Sequence, residues 1–188
     1  MQRYYLEVGS EEKLGGVGKL IAKTNQLIDL FYKASLPVVK VRVIHKKDGS
    51  TWNQKMKPHW TGEVLPGTLT EGTTEAEFSP ELHSSSRDIV LTKTRSSSFV
   101  RTELDATLQR LGVDTVVLAG YSIERCVGLT AIDAWERDYS VVLAGDAILG
   151  ANKKTSEHML VYLAQSFGLP PISNEEIQEK YISGNTVD

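Results

Sequence analysis

Residues 115–135 read TVVLAGYSIERCVGLTAIDAW. Thr115 to Ala119 is β-branched and apolar without alternation, the pattern of a strand covered on both faces. Gly120 breaks it, and from Arg125 to Arg137 the apolar spacing becomes helical. Val141 to Ala144 is a second unbroken apolar strand, so the stretch is one strand–helix–strand unit of a parallel sheet. Upstream, Thr102 to Leu111 is a helix with Leu104, Leu108 and Leu111 on one face and Gly112 placed to close it. Ile89 to Thr92 and Val38 to Ile44 are short strands. Between Gly16 and Lys33, Val17, Leu20, Ile21, Leu27, Ile28 and Phe31 form one helical stripe, which Leu36-Pro37 terminates. Downstream, Thr155 to Phe167 is a helix stopped by Gly168 and Pro170-Pro171, and Ser173 with Glu176 forms a capping-box pattern. Alternating strands and helices predict a Rossmann-like three-layer α/β/α fold with a mostly parallel sheet.

The bulk properties narrow the function classes. At 188 residues the chain is long enough for one domain with a sizeable core. It is 40% apolar and 24% charged with a net charge of −3, and its basic residues are scattered. That disfavours nucleic acid or a membrane as the main partner. No apolar run reaches the roughly 20 residues of a membrane span, and the N-terminus has no signal-peptide core. A single cysteine, Cys126, makes no internal disulfide, which sets the cytoplasm as the expected compartment. On composition alone Cys126 is a buried small residue, a spare thiol or a reactive one.

Other features are ambiguous or decoys. His45 to Arg87 is rich in Gly and Pro, and a loop of about forty residues is either a surface excursion or a functional lid. Lys40 and Arg42 interrupt the strand Val38 to Ile44, so its face is part-exposed or meets acidic partners in an oligomer. Gly15-Gly16-Val17-Gly18-Lys19 departs from a phosphate loop at Lys13 and Leu20. His45, His59, His83 and His158 have no metal-ligand spacing, so neither a metal nor another cofactor is expected.

In open α/β sheets ligands sit beyond the carboxyl ends of the strands. Lys93, the turn Gly120 to Cys126, and Asp146 all fall there. Cys126 opens a helix, where free N–H groups and the dipole favour a thiolate, as would a lysine ammonium nearby. The N–H groups of Ser122 and Cys126 are placed to hold an oxyanion. Together they make a plausible acyl-transfer site.

The run Asp88-Ile-Val-Leu-Thr-Lys93 with Phe99, Thr102 and Leu104, followed by Leu118-Ala-Gly120, Cys126-Val127, Thr130-Ala131 and Asp133-Ala134, resembles the isochorismatase-like cysteine hydrolases. That family includes isochorismatases, nicotinamidases, N-carbamoyl amidohydrolases and ureide hydrolases. The resemblance extends from Met1 to about Phe167. It implies a catalytic Asp-Lys-Cys triad, with Lys93 and Cys126 filling two of its positions, and a cis peptide at Tyr121–Ser122 that turns the Ser122 N–H toward the oxyanion. It implies a small-molecule substrate and a homo-oligomer. Phe99, Tyr121, Trp60 and His45 are candidates for the substrate pocket. The histidine pattern departs from that of the metal-binding nicotinamidases.

The family's Asp ends a first strand, and the sequence from Met1-Gln2-Arg3 resembles the family's sequence immediately after that Asp. The first strand and its carboxylate are therefore expected to be missing from these residues. Asp88 lies at the wrong end of its strand, about 16 Å from Lys93 at about 3.3 Å per residue. Glu124 is expected to point to solvent, which leaves Asp146 as the candidate surrogate carboxylate. Two accounts are open: an internal methionine taken as the start of a longer protein, or a truncated, inactive member serving as a binding or assembly subunit. The first predicts a metal-independent hydrolase of an amide, ureide or carbamoyl C–N bond. Isochorismate, a vinyl ether open to acid catalysis, is the alternative substrate.

Overall fold

A computed structural model describes residues 1–8, 16–53 and 69–183. Helix α1 (Arg3–Val8) opens the chain and α2 (Val17–Lys33) follows, burying Leu20, Ile21, Leu27 and Ile28 of the expected stripe. Strands β1 (Val39–Val43) and β2 (Ile89–Lys93) flank the long connection, and α3 (Leu104–Leu111) leads to β3 (Thr115–Tyr121). A π-helical turn (Ile123–Val127) runs directly into α4 (Gly128–Trp135). Then come β4 (Ser140–Leu149), α5 (Lys153–Phe167), the two-residue β5 (Pro171–Ile172), α6 (Asn174–Ile177) and a second π turn (Gln178–Ile182). The capping box at Ser173 and Glu176 is formed as the sequence predicts.

All strand pairs are parallel, and the fold is the α/β architecture expected. β4 shows why helices cover both faces. Val142 and Ala144 pack with Leu27 of α2, Ile177 and Ile182, whereas Leu143 packs with Ile123, Val127, Ala131 and Leu163 on the other side. Alternate residues of one strand thus serve two cores. A third cluster joins Phe99, Leu104, Leu108, Ala134 and Tyr139.

The sheet lies in two pieces. Among the described residues β1 pairs only with β2, from Val39 opposite Ile89 to Val43 opposite Lys93. β3 pairs with β4, and β4 with β5. Between β1 and β3 runs a cavity of about 670 Å³, lined by Val39, Val41, Thr115, Val117, Ala119 and, at one end, Lys93 and Cys126. Among the described residues no strand lies between β1 and β3.

Two boundaries differ from expectation. The strand expected at Val141 to Ala144 continues to Leu149 through an irregularity: the pairing jumps from Leu118–Leu143 to Gly120–Ile148. A bulge lets a strand absorb extra residues and resume its register. The helix expected from Arg125 begins instead as the π turn.

The long connection is partly ordered by isolated bridges, Gln2 with Phe78 and His45 with Thr70, and by a 3₁₀ turn at Thr74–Ala76. Trp60 and His59 lie outside the described residues. Acidic partners for the charged residues of β1 come from this same connection. Arg42 meets Glu77 at 2.9 Å, and the buried Lys40 meets the buried Asp88 at 2.7 Å. Tyr32 of α2 also donates to Asp88, at 2.7 Å.

Burial raises the Asp88 carboxyl, but bonds from Lys40, the Ser85 N–H and Tyr32 outweigh it and hold the group below its ordinary value. A carboxyl depressed in the folded state stabilises the fold above its unfolded value of about 3.9 and loses that contribution as pH falls through the lower folded value. Removing one member of a buried pair costs about 3–5 kcal/mol. Asp88→Ala is therefore expected to lower the denaturant midpoint strongly at pH 7. The gap from the unaltered chain should narrow as urea titrations are taken below about pH 4.

Candidate functional site

Lys93 closes β2 and the π turn leaves β3, so both arrive at the same end of the cavity. Lys93 is 4% exposed. Its ammonium donates to the Ser96 carbonyl, and Lys93 and Cys126 line the same cavity near enough to interact electrostatically. Burial pushes its pKa below the lysine norm, and Cys126 opposes that shift by favouring the charged form.

The Tyr121–Ser122 peptide is cis. The Ser122 carbonyl accepts from the N–H groups of Arg125 (3.2 Å) and Val127 (3.0 Å). A regular helix would tie the Cys126 N–H to that carbonyl, whereas the π spacing carries the bond on to Val127. Thr130, one helical turn on, donates to the Cys126 carbonyl at 2.6 Å and accepts from the Ser98 N–H at 2.9 Å. The thiol turn is thus tied to the loop that follows Lys93. Neither Ser98 nor Thr130 was marked for a role by the sequence pattern, because each acts through a contact between segments distant in sequence.

The sequence candidates separate. Tyr121 and Phe99 line the cavity, although Phe99 is chiefly a core residue, beside Tyr139 and under the Arg137 guanidinium at 4.8 Å. His45 does not line it. Its buried ring stacks on Trp52 at 4.3 Å with Nδ1 3.2 Å from Thr51 Oγ1. Burial, and then the Arg95 charge, push its pKa down. Asp146 is not brought to Lys93 or Cys126: it faces Lys23 at 3.7 Å and accepts from the Asn174 N–H at 3.1 Å. The continuation of β4 as a strand turns it to that side.

Glu124 is half-buried, and its carboxylate is bonded to the protein. Its carboxylate accepts from the N–H groups of Ala151 (2.9 Å) and Asn152 (3.2 Å) and from the Ser156 hydroxyl (2.5 Å). Those bonds outweigh burial and lower its pKa.

Tyr5 is a site residue that the sequence pattern does not single out. It lines the cavity with Cys126, and its ring lies 5.6 Å from that of Tyr121. Burial first, then Cys126, push its phenol pKa upward, so it stays protonated. α1 is held in place by Gln2, whose side-chain amide bonds both the N–H and the carbonyl of Val43 at 2.8 Å. A glutamine two residues into a chain gives no local sign of such a contact.

The Isochorismatase domain family matches residues 1–176, and the chain belongs to that family. Nicotinamidase 3 of Arabidopsis thaliana is 30% identical over 143 residues, covering 74% of this chain and 69% of the plant protein. The ureidoacrylate amidohydrolase RutB of Acinetobacter baylyi is 27% identical over 89% of this chain and 75% of its own length. Among solved structures, an isochorismatase family protein from Desulfovibrio vulgaris superposes with a TM-score of 0.82 at 27% identity, covering 95% of this chain and 93% of that one. The chain is thus an isochorismatase-family hydrolase by descent, and its relatives include amide hydrolases.

Proposed function

We propose that the chain is a metal-independent cysteine hydrolase of a C–N bond in a small amide, ureide or carbamoyl compound. The observation that carries this reading is the placing of Lys93, from the end of β2, and Cys126, from the turn after β3, in the lining of one cavity. The Cys126 thiolate attacks the carbonyl carbon, and the carbonyl electron pair moves onto oxygen, held by the N–H groups of Ser122 and Cys126. Collapse breaks the C–N bond, and the leaving nitrogen takes a proton. Water then splits the thioester and returns the thiol.

The proton steps need a base. Among the described residues Asp88, Glu124 and Asp146 are each engaged elsewhere. The base in this reading arrives on a strand that fills the cavity between β1 and β3. The same observation favours a second reading, a catalytically inactive family member serving as a binding or assembly subunit. A vinyl ether such as isochorismate is the substrate alternative, since acid catalysis there does not require the thiolate. Cytoplasmic location and a homo-oligomer complete the proposal. The exposed Leu129, Trp135, Val161 and Tyr162 of α4 and α5 are the apolar surface a second copy would cover.

The test has two arms. Purified chain is assayed for ammonia release from nicotinamide, ureidoacrylate and N-carbamoyl compounds. Cys126 alkylation by iodoacetamide at pH 6.5 is timed against N-acetylcysteine. An activated thiol reacts at least about tenfold faster than the free compound. Equal rates overturn the nucleophile, whereas fast alkylation without turnover selects the inactive reading.

A further inference from the structure

We infer that Glu124 is a positioning residue that fixes the thiol turn against the start of α5; this rests on the reading of Cys126 as the nucleophile. The turn Ile123–Val127 is short and follows a non-helical residue, Ser122, so its own backbone bonds do little to fix its angle to the sheet. Two pins fix it from outside. One is Gly128, the first residue of α4: a Cβ there would overlap the Ile123 carbonyl and the Met159 side chain of α5. The other is Glu124, whose carboxylate takes bonds from Ala151, Asn152 and Ser156. Cys126 lies between the two.

Glu124 is not needed simply to start α5. Asn152 already does that, accepting from the N–H groups of Lys154 (3.1 Å) and Thr155 (3.3 Å). The Ala151 and Asn152 N–H groups that Glu124 takes precede the helix. They belong to the exit of β4, whose last residue, Leu149, is in register with Tyr121. Glu124 therefore closes a ring: β3, the thiol turn, the carboxylate, the β4 exit, and back to β3 through the strand pairing. The segment is shaped around the carboxylate. At Gly150 a Cβ would come within 2.6 Å of Glu124 Oε1 and closer still to Ser156 Oγ.

A ring of this kind sets where Ser122 and Cys126 sit relative to Lys93, which comes from the other half of the sheet. Small displacements there are costly, because a contact pair and an oxyanion site both depend on geometry to within a fraction of an ångström.

The experiment compares Glu124→Ala, Glu124→Gln and Ser156→Ala with the unaltered chain. Iodoacetamide alkylation of Cys126 and thermal melting are measured for each, and again with Lys93→Met in the background. Glu124→Ala is expected to slow alkylation about tenfold, with Ser156→Ala milder and Glu124→Gln recovering most of the rate because an acceptor oxygen remains. In the Lys93→Met background Glu124→Ala should change the rate little, since the effect acts through that ammonium. A residue that only stabilised α5 would lower the melting temperature and leave the alkylation rate and its coupling to Lys93 untouched, which would overturn the inference. If Glu124→Ala does not fold, Glu124→Gln and Ser156→Ala decide it by the same coupling. Ordinary alkylation by the unaltered chain removes the nucleophile reading instead, so the two failures are distinct.

Discussion

Lys93→Met is expected to cost Cys126 most of its reactivity while leaving the melting temperature nearly unchanged. An opposite charge at contact distance shifts a proton equilibrium by about ten- to a thousandfold. Alkylation at pH 6.5 should therefore fall at least about tenfold, and any turnover with it. The stability side has two opposing contributions. Removing the ammonium relieves the desolvation of a side chain only 4% exposed. It also takes the donor away from the Ser96 carbonyl, which costs about 1–3 kcal/mol if that oxygen is left dry. Methionine fills similar volume without a charge. With about 2–4 °C per kcal/mol for a chain of this size, the melting temperature should move by only a few degrees. Cys126→Ala serves as the control with no alkylation and no turnover. A chain that unfolds on Lys93→Met would make the lysine structural, and one that alkylates as before would leave it without a chemical role.

The separation of fold from chemistry at Lys93 explains what was legible in the sequence. α2 and β1 through β3 follow from local pattern, since a stripe such as Leu20, Ile21, Leu27 and Ile28 has to be buried somewhere. The bulge in β4 was not legible, because Gly145-Asp146 has turn composition and the strand's continuation is set by Ile148 and Leu149 resuming the pairing with β3. The site divides in the same way. Lys93 and Cys126 sit at strand ends, where the α/β topology collects functional groups. The settings of Glu124 and Lys40 lie beyond local pattern because their partners, Ala151 and Asp88, lie in segments that fold back from a distance. Exposure of a charged residue is a fair default on composition. At Glu124 a set of donors, and at Lys40 a counter-ion, draws the charged group inward instead.

The cavity between β1 and β3 is expected to accept one parallel strand, with a larger gain in stability than any single substitution would give. The backbone shows which groups face it. The Ile89 N–H bonds the Val38 carbonyl and the Ile44 N–H bonds the Lys93 carbonyl, so the even residues of β1 face β2. By alternation Val39, Val41 and Val43 face the cavity. Gln2 takes the Val43 pair, imitating a neighbouring strand at that point alone. On the other wall the Ser140 N–H bonds the Asp114 carbonyl, so Thr115, Val117 and Ala119 face inward. Two facing rows of polar backbone in an apolar channel call for hydrogen-bond partners. Both walls run the same way, since Lys93 and Cys126 meet at their carboxyl ends. A strand between them leads out at Met1, which lines the cavity. Burial and the Lys40 charge push the Met1 α-amine down to about 6. With a free amine the folded chain resists taking up that proton, so stability should rise from about pH 6 to about pH 8 and level off above. An extension of about six Val, Ile and Leu residues joined to Met1 should abolish that rise and protect the amides of Val41 and Val117 from hydrogen exchange. Burying each apolar side chain contributes about 1.5–3 kcal/mol, against about 1.5 kcal/mol of ordering per residue. The net is a few kcal/mol, or about 10 °C in melting temperature. A Gly-Ser extension of equal length should also abolish the pH dependence but add neither protection nor stability. If the apolar extension protects no more than the Gly-Ser one, the cavity does not accept a strand, and a base for Cys126 has to come from elsewhere.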